Sequence, residues 1–334
     1  MKIDHQVDAP PQCVSDQLRE AEAAGYHGVW LLEAAHDPFL SVGLGAQVTS
    51  RVEIGTGIAV AFARSPMTLA ITANDLRLVS QGRFLLGLGS QIKPHITRRF
   101  SMPWSHPAAR MREYVLAVRA IWNSWHDGTP LQFEGEFYRH TLMTPMFDPG
   151  PNPYGNPPIL LAGVGESMTG VAGEVADGFI CHGFTTERYL REVTLPTLGQ
   201  GRRRAGRSME GYEIAGMPFV VTGTTAEEFA AAKQSTKEQI AFYASTPAYR
   251  PVLERHGWGE LQSQLNVMSK AGRWKEMADV IDDEVLEAIA VVAEPDDAAA
   301  EIRRRYGDVF TRMNLYLKAP LPAEALESIV AALR

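Results

Sequence analysis

Three histidines fall directly behind apolar, strand-like stretches of the chain. His36 follows Gly28-Val29-Trp30-Leu31-Leu32, His95 lies beyond Phe84-Leu85-Leu86-Gly87-Leu88, and His182 ends Gly178-Phe179-Ile180-Cys181. If these stretches are parallel strands of one sheet, all three imidazoles gather at its carboxyl edge, where chemistry collects in such sheets. An imidazole there can donate to a reacting group or exchange a proton with it near neutral pH. A lone histidine is more often a hydrogen-bonded structural group, whereas three converging ones favour chemistry. His36, Asp37, His95 and His182 have no compact ligand spacing, so no metal centre is expected. No Gly-x-Ser-x-Gly elbow and no supported Cys/His pair argues for nucleophilic catalysis, and a Walker loop is absent.

A second candidate is the small-residue turn Ala162-Gly163-Val164-Gly165-Glu166-Ser167-Met168, between a strand and a helix. Free amides at a helix N-terminus can hold a phosphate or another anion. Such turns are common, so this one alone names no ligand. Arg64, just before Ser65-Pro66, could bind an anionic ligand or cap the rim. Phe62, Trp104 and Phe184 could stack on a planar ring or simply pack.

The elements that must position these residues alternate between strand and helix patterns. Ile54 to Gln91 reads as strand, glycine turn, helix, turn, strand and glycine turn in one run. Ser65-Pro66 supplies a helix cap and a proline at the first helical position, and Gln81-Gly82 stops that helix. The connection is a right-handed crossover with Gly55-Thr56-Gly57-Ile58 and Gly87-Leu88-Gly89-Ser90 at its functional edge. Further strands are read at Lys2–Asp4, Pro158–Ala162, Gly178–Cys181, Ile214–Val221 and Arg312–Leu317. Met111, Val115, Val118, Trp122 and Trp125 form the apolar stripe of a long helix. Thr224-x-x-Glu227 is read as a capping box opening the helix that carries Phe229, Ala232, Thr236, Ile240 and Tyr243.

About eight strands with helices between them predict a single (β/α)8 TIM barrel over residues 1–334, with long insertions at its C-terminal mouth. The insertions are Gln91–Pro107, Asp127–Pro157 and Ser245–Ala288, expected as loops that cap or line a site. The first also carries Lys93, Arg98 and Arg99, available to an anionic substrate or to solvent.

Composition narrows the class further. The 334 residues carry a net charge of −7, which argues against nucleic acid as the main partner. The run Arg202-Arg203-Arg204 with Arg207 reads as a solvated helix end. No membrane span and no signal peptide is expected, which gives a cytoplasmic protein. Cys13 and Cys181 make neither a disulfide framework nor a metal framework.

Four motifs make the chain resemble the bacterial luciferase-like superfamily of (β/α)8 oxidoreductases, in its coenzyme F420-dependent branch. They are Glu33-Ala-Ala-His-Asp-Pro-Phe-Leu40, Ile54-Gly-Thr-Gly-Ile-Ala-Val-Ala-Phe-Ala-Arg-Ser-Pro66, Ser80-Gln-Gly-Arg-Phe-Leu-Leu-Gly-Leu-Gly89 and Ala172-Gly-Glu-Val-Ala-Asp-Gly178. The resemblance implies a deazaflavin whose ring rests on a bulge with a non-proline cis peptide at Gly57–Ile58, beside Ala59. It implies that Gly89, Ser90, Gln91 and His95 border the cofactor head. Gly163, Val164, Gly165, Ser167 and Met168 would hold its phosphate. His36 would be the catalytic histidine beside the ring. From their own places in the sequence, Phe62, Arg64 and His182 are expected to face a small-molecule substrate. Sugar-phosphate dehydrogenases of the superfamily carry a glutamate where this chain has Ile92, so that activity is not expected. A reduced-FMN monooxygenase and a non-catalytic cofactor-binding barrel are the alternatives, and a homodimer is the implied assembly.

Overall fold

In a computed structural model describing residues 1–334, eight parallel strands close into the expected (β/α)8 barrel. They are β1 (Lys2–Val7), β2 (Gly28–Leu31), β3 (Glu53–Thr56), β4 (Phe84–Gly89), β5 (Ile159–Gly163), β6 (Gly178–Cys181), β7 (Glu213–Gly216) and β8 (Arg312–Met313). Around the ring the order is β3, β2, β1, β8, β7, β6, β5, β4, and β4 pairs back onto β3. β2, β4, β5 and β6 read as continuous apolar runs because one face meets the barrel interior and the other meets helices. The long helix Pro107–Asp127 buries Met111, Val115, Val118, Trp122 and Trp125, the stripe its spacing predicts. Ser65 caps the helix Pro66–Val79 by accepting from the Thr68 amide, and Gln81 and Gly82 end it with φ of 53° and 84°.

The barrel interior is layered. Trp30, Leu85, Leu160 and Ala215 form a small cluster of their own, with Ile180 packed against it. Beneath them lies an ion pair that the apolar pattern does not announce. Arg312 Nε donates to Asp4 at 2.6 Å, and both side chains are fully buried. Trp30 Nε1 donates to the same carboxylate at 2.8 Å, while Glu53 and Glu213 stand 3.0 and 3.3 Å from the guanidinium. Buried charge persists only when it is paired and hydrogen-bonded in this way.

Several sequence expectations need correction. Ile214–Val221 and Arg312–Leu317 are each broken into two pieces. The upper pieces, Phe219–Val221 and Tyr316–Leu317, join an unforeseen strand, Ala290–Val292, in a separate three-stranded sheet. Ser245–Ala288 is not a loop. It folds into helices Arg250–Glu254, Gly259–Lys270 and Asp283–Ile289 with 3-10 turns between them. These pack, with Phe184 and Phe219, into a second apolar cluster that includes Leu253, Leu265 and Leu286. Asp127–Pro157 contains a short hairpin, and Gln91–Pro107 contains a π-helical turn at His95–Arg99. The predicted capping box is displaced by one residue. Thr225 is the cap and accepts from the Glu228 amide, and Glu228 in turn accepts from the Thr224 amide at 2.8 Å. No helix is long and apolar enough to cross a membrane.

Candidate functional site

The carboxyl ends of β3 and β4 meet through a bulge that their pairing register reveals. Ile54 and Gly55 pair with Phe84 and Leu85, but Ala59 and Val60 pair with Leu88 and Gly89. Thr56, Gly57 and Ile58 therefore oppose only Leu86 and Gly87, one residue too many on the β3 side. The Thr56 hydroxyl spans the broken ladder, donating to the Gly87 carbonyl at 2.7 Å and accepting from its amide at 3.0 Å. The Gly57–Ile58 bond is a non-proline cis peptide, as the resemblance implies. Ile58 lies over Gly89, where a Cβ would meet its Cδ1 at 2.8 Å. Gly87 has no room at all for a side chain, because a Cβ would sit 1.9 Å from the Thr56 oxygen. The two glycine turns are thus one closely packed structure, joined by the Thr56 hydroxyl and by Ile58 over Gly89.

His36 sits on the loop after β2 with its ring exposed. That loop is clamped to the bulge. Arg64 pairs with Glu33 at 2.7 Å and with Asp37 at 2.9 Å, and Glu33 also accepts from the Val60 amide at 2.7 Å. Asp37 caps the helix Pro38–Val48 through the Phe39 and Leu40 amides. The expectation that Arg64 faces the substrate is therefore corrected. Its guanidinium is occupied by two carboxylates, and it positions the loop that carries His36. Phe62 needs the same correction, since its ring is 2 % exposed and packs edge-on against Tyr114 and Trp104. His95 opens the π-helical turn and is exposed, and Arg99 of that turn donates to the Ala34 carbonyl. The segments bearing His36 and His95 are thus tied together.

The turn before the helix Glu166–Val175 has the character of an anion site. Gly165 takes a φ of 78°, a conformation that favours glycine, and no side chain caps the first-turn amides. A Cβ on Gly165 would meet nothing within 4 Å, so the turn is open on its outer side. A cavity of about 20 Å³ adjoins it, lined by Gly163, Gly165, Thr169, His182 and Thr185 among others. The Thr185 hydroxyl is buried and has no hydrogen-bond partner.

His182 differs from the other two histidines. Its Nδ1 accepts from the Phe184 amide at 3.0 Å, and its Nε2 lies 3.1 Å from the Tyr249 hydroxyl. Burial pushes its pKa down to about 4, so it does not exchange protons near neutral pH as the sequence reading supposed. Sequence reasoning missed Tyr249 and Tyr243, which pack against His182 and Phe184. They lie beyond β7 in chain order, and only the fold returns them to the end of β6.

The family model described as luciferase-like monooxygenase matches residues 3–312. An uncharacterized protein of Mycobacterium tuberculosis is 51% identical over 313 residues, covering 94% of this chain and 92% of that one. A 5,10-methylenetetrahydromethanopterin reductase of Archaeoglobus fulgidus is 24% identical over 293 residues, covering 85% and 83%. Among solved structures, the coenzyme F420-dependent tetrahydromethanopterin reductase of Methanopyrus kandleri superposes with a TM-score of 0.78 at 20% identity, over 99% of this chain and 97% of that one.

Proposed function

The chain belongs to the luciferase-like monooxygenase family, and we propose that within it this protein transfers hydride between the deazaflavin coenzyme F420 and a small organic substrate. The observation that carries this reading is the merged pair of glycine turns, in which the Gly57–Ile58 bulge lies against Gly89. A flat ring needs a wall of low relief, and these turns, with Ile58 standing over Gly89, supply one beside the loop of His36. The similarity to a reductase of Archaeoglobus fulgidus supports a reductive rather than an oxygenating reaction.

The residues present fit such a cofactor. Gly57, Ile58 and Ala59 would support the ring, and Gly89, Ser90, Gln91 and His95 would border its head. Gly163, Val164, Gly165, Ser167 and Met168 would hold the phosphate through uncapped amides. The adjoining cavity is no larger than about one water molecule, so a phosphate meets these amides from the open side of Gly165. When bound, the coenzyme supplies the hydride itself. The protein has then to orient the ring, hold the substrate against it and manage one proton. His36, exposed and free of side-chain partners, is the catalytic residue beside the ring, where its imidazole can hydrogen-bond the reacting groups. Arg64, through Glu33 and Asp37, fixes where His36 stands. Ile92 stands exposed where sugar-phosphate dehydrogenases of the superfamily carry glutamate, so sugar phosphates are not the proposed substrates. A reduced-FMN monooxygenase on the same barrel is the second reading, favoured by the description of the matching family model.

The His36→Ala variant tests the catalytic assignment. Oxidation of reduced coenzyme by a panel of carbonyl compounds should fall about 100-fold or more, with coenzyme affinity retained. Unchanged turnover would remove His36 from the mechanism.

A further inference from the structure

One donor at the barrel mouth is left unused by the reaction described above. Ile180 points into the barrel, where it packs with Trp30, Leu85, Leu160 and Ala215. His182 follows directly after β6, at its carboxyl end, where its ring meets those of Tyr243 and Tyr249. Because its Nδ1 accepts from the Phe184 amide, its hydrogen is on Nε2, and that hydrogen is donated to the Tyr249 oxygen. The Tyr249 hydroxyl makes no other hydrogen bond, so its own hydrogen is available to a ligand. Tyr249 sits on the 3-10 turn Pro247–Tyr249 of the helical insertion, and its ring is only partly exposed. Going round the ring, β6 is three strands from β3 in a barrel of eight. The β6 and β3 sides of the mouth are therefore roughly opposite walls, and Tyr249 is held to the β6 side by its hydrogen bond with His182.

We propose that Tyr249, oriented by His182, is a catalytic acid that donates a hydrogen bond and then a proton to the oxygen of a carbonyl substrate lying between these walls. This rests on the F420 reading above. The carbonyl carbon takes the hydride from reduced coenzyme, and the C=O π pair moves to oxygen. That oxygen takes the hydrogen of Tyr249 Oη. The phenolate left behind keeps the Nε2–H hydrogen bond of His182 and regains its proton from water. His182 itself stays neutral throughout, acting as a positioning residue.

The test uses the whole protein with F420 and a panel of small aldehydes and ketones labelled with 13C at the carbonyl. The infrared C=O band of the bound carbonyl is recorded with oxidised coenzyme, and turnover with reduced coenzyme. In the Tyr249→Phe variant, coenzyme affinity should match wild type, the C=O band should move to higher frequency, and kcat should fall about 100-fold. The His182→Gln variant keeps an acceptor for Phe184 and a donor for Tyr249, so it should retain most of the turnover. A Tyr249→Phe protein with wild-type turnover and an unshifted band would overturn the assignment while leaving the F420 reading standing. So would wild-type protein that binds F420 but no carbonyl compound. Wild-type protein that does not bind F420 would overturn the functional reading, and this proposal with it.

Discussion

At the scale of single residues, partners rather than residue type decide what each group does. His36, His95 and His182 are equivalent in the sequence pattern, yet His182 alone of the three is bonded through both ring nitrogens, and burial holds its pKa down. This has a consequence for stability. The unfolded chain's imidazole takes up a proton near pH 6.5, whereas the folded one does so only near pH 4. Between these values the unfolded state binds more protons, so His182 weakens the fold as pH drops from about 6.5 and contributes no pH dependence above it. By linkage the full effect is of the order of 3 kcal/mol. Urea midpoints measured from pH 7 to pH 4.5 should therefore fall more steeply for wild type than for His182→Gln. Parallel curves would show that this ring is not held neutral. Arg64 makes the complementary point. Its position before a helix cap suggested a ligand contact, but Glu33 and Asp37 are distant enough in sequence that their claim on it was not legible.

At the scale of elements, what was legible followed from local chemistry. The β3–β4 crossover, its Ser65 cap and its Gln81-Gly82 stop are each set by a few adjacent residues. The bulge was reached through the resemblance, and the register offset now accounts for it within this chain. Ser245–Ala288 was misread as loop because its helices are short and bury themselves against Phe184 and Phe219 rather than displaying one clear stripe. The break within Ile214–Val221 was hidden because both halves are apolar and fully buried. The phosphate assignment of the Gly165 turn can be tested on its own. Glu166 stands in the first turn of that helix, where its negative charge competes with an incoming phosphate. Glu166→Gln should therefore tighten coenzyme binding about two- to fivefold, as read by fluorescence titration. Unchanged or weaker binding would move the phosphate elsewhere.

At the scale of the whole molecule, the barrel is closed at one end by charge and opened at the other by glycine. Lys2, Glu53, Glu213 and Arg312 begin or nearly begin their strands, and their ion pairs fasten β1, β3, β7 and β8 together around Asp4. Scattered over three hundred residues, these charges gave no sign in the sequence that they meet. Replacing Arg312 with Met leaves Asp4 buried and uncompensated. It should cost about 3–5 kcal/mol in a denaturant titration. A loss below about 1 kcal/mol, the range of a solvent-exposed pair, would mean that the network is not important to the fold. At the open end, the fold is shown by the pairing of the strands, while the ligand is proposed. Trp30 lies under the bulge, its Cβ 3.0 Å from where a Cβ on Gly57 would be, and makes a natural reporter. The most direct measurement is titration of the purified protein with F420 and, separately, with FMN, followed by quenching of tryptophan fluorescence. The account predicts saturable, tight binding of F420 and markedly weaker binding of FMN, and tight FMN binding with none of F420 would contradict it.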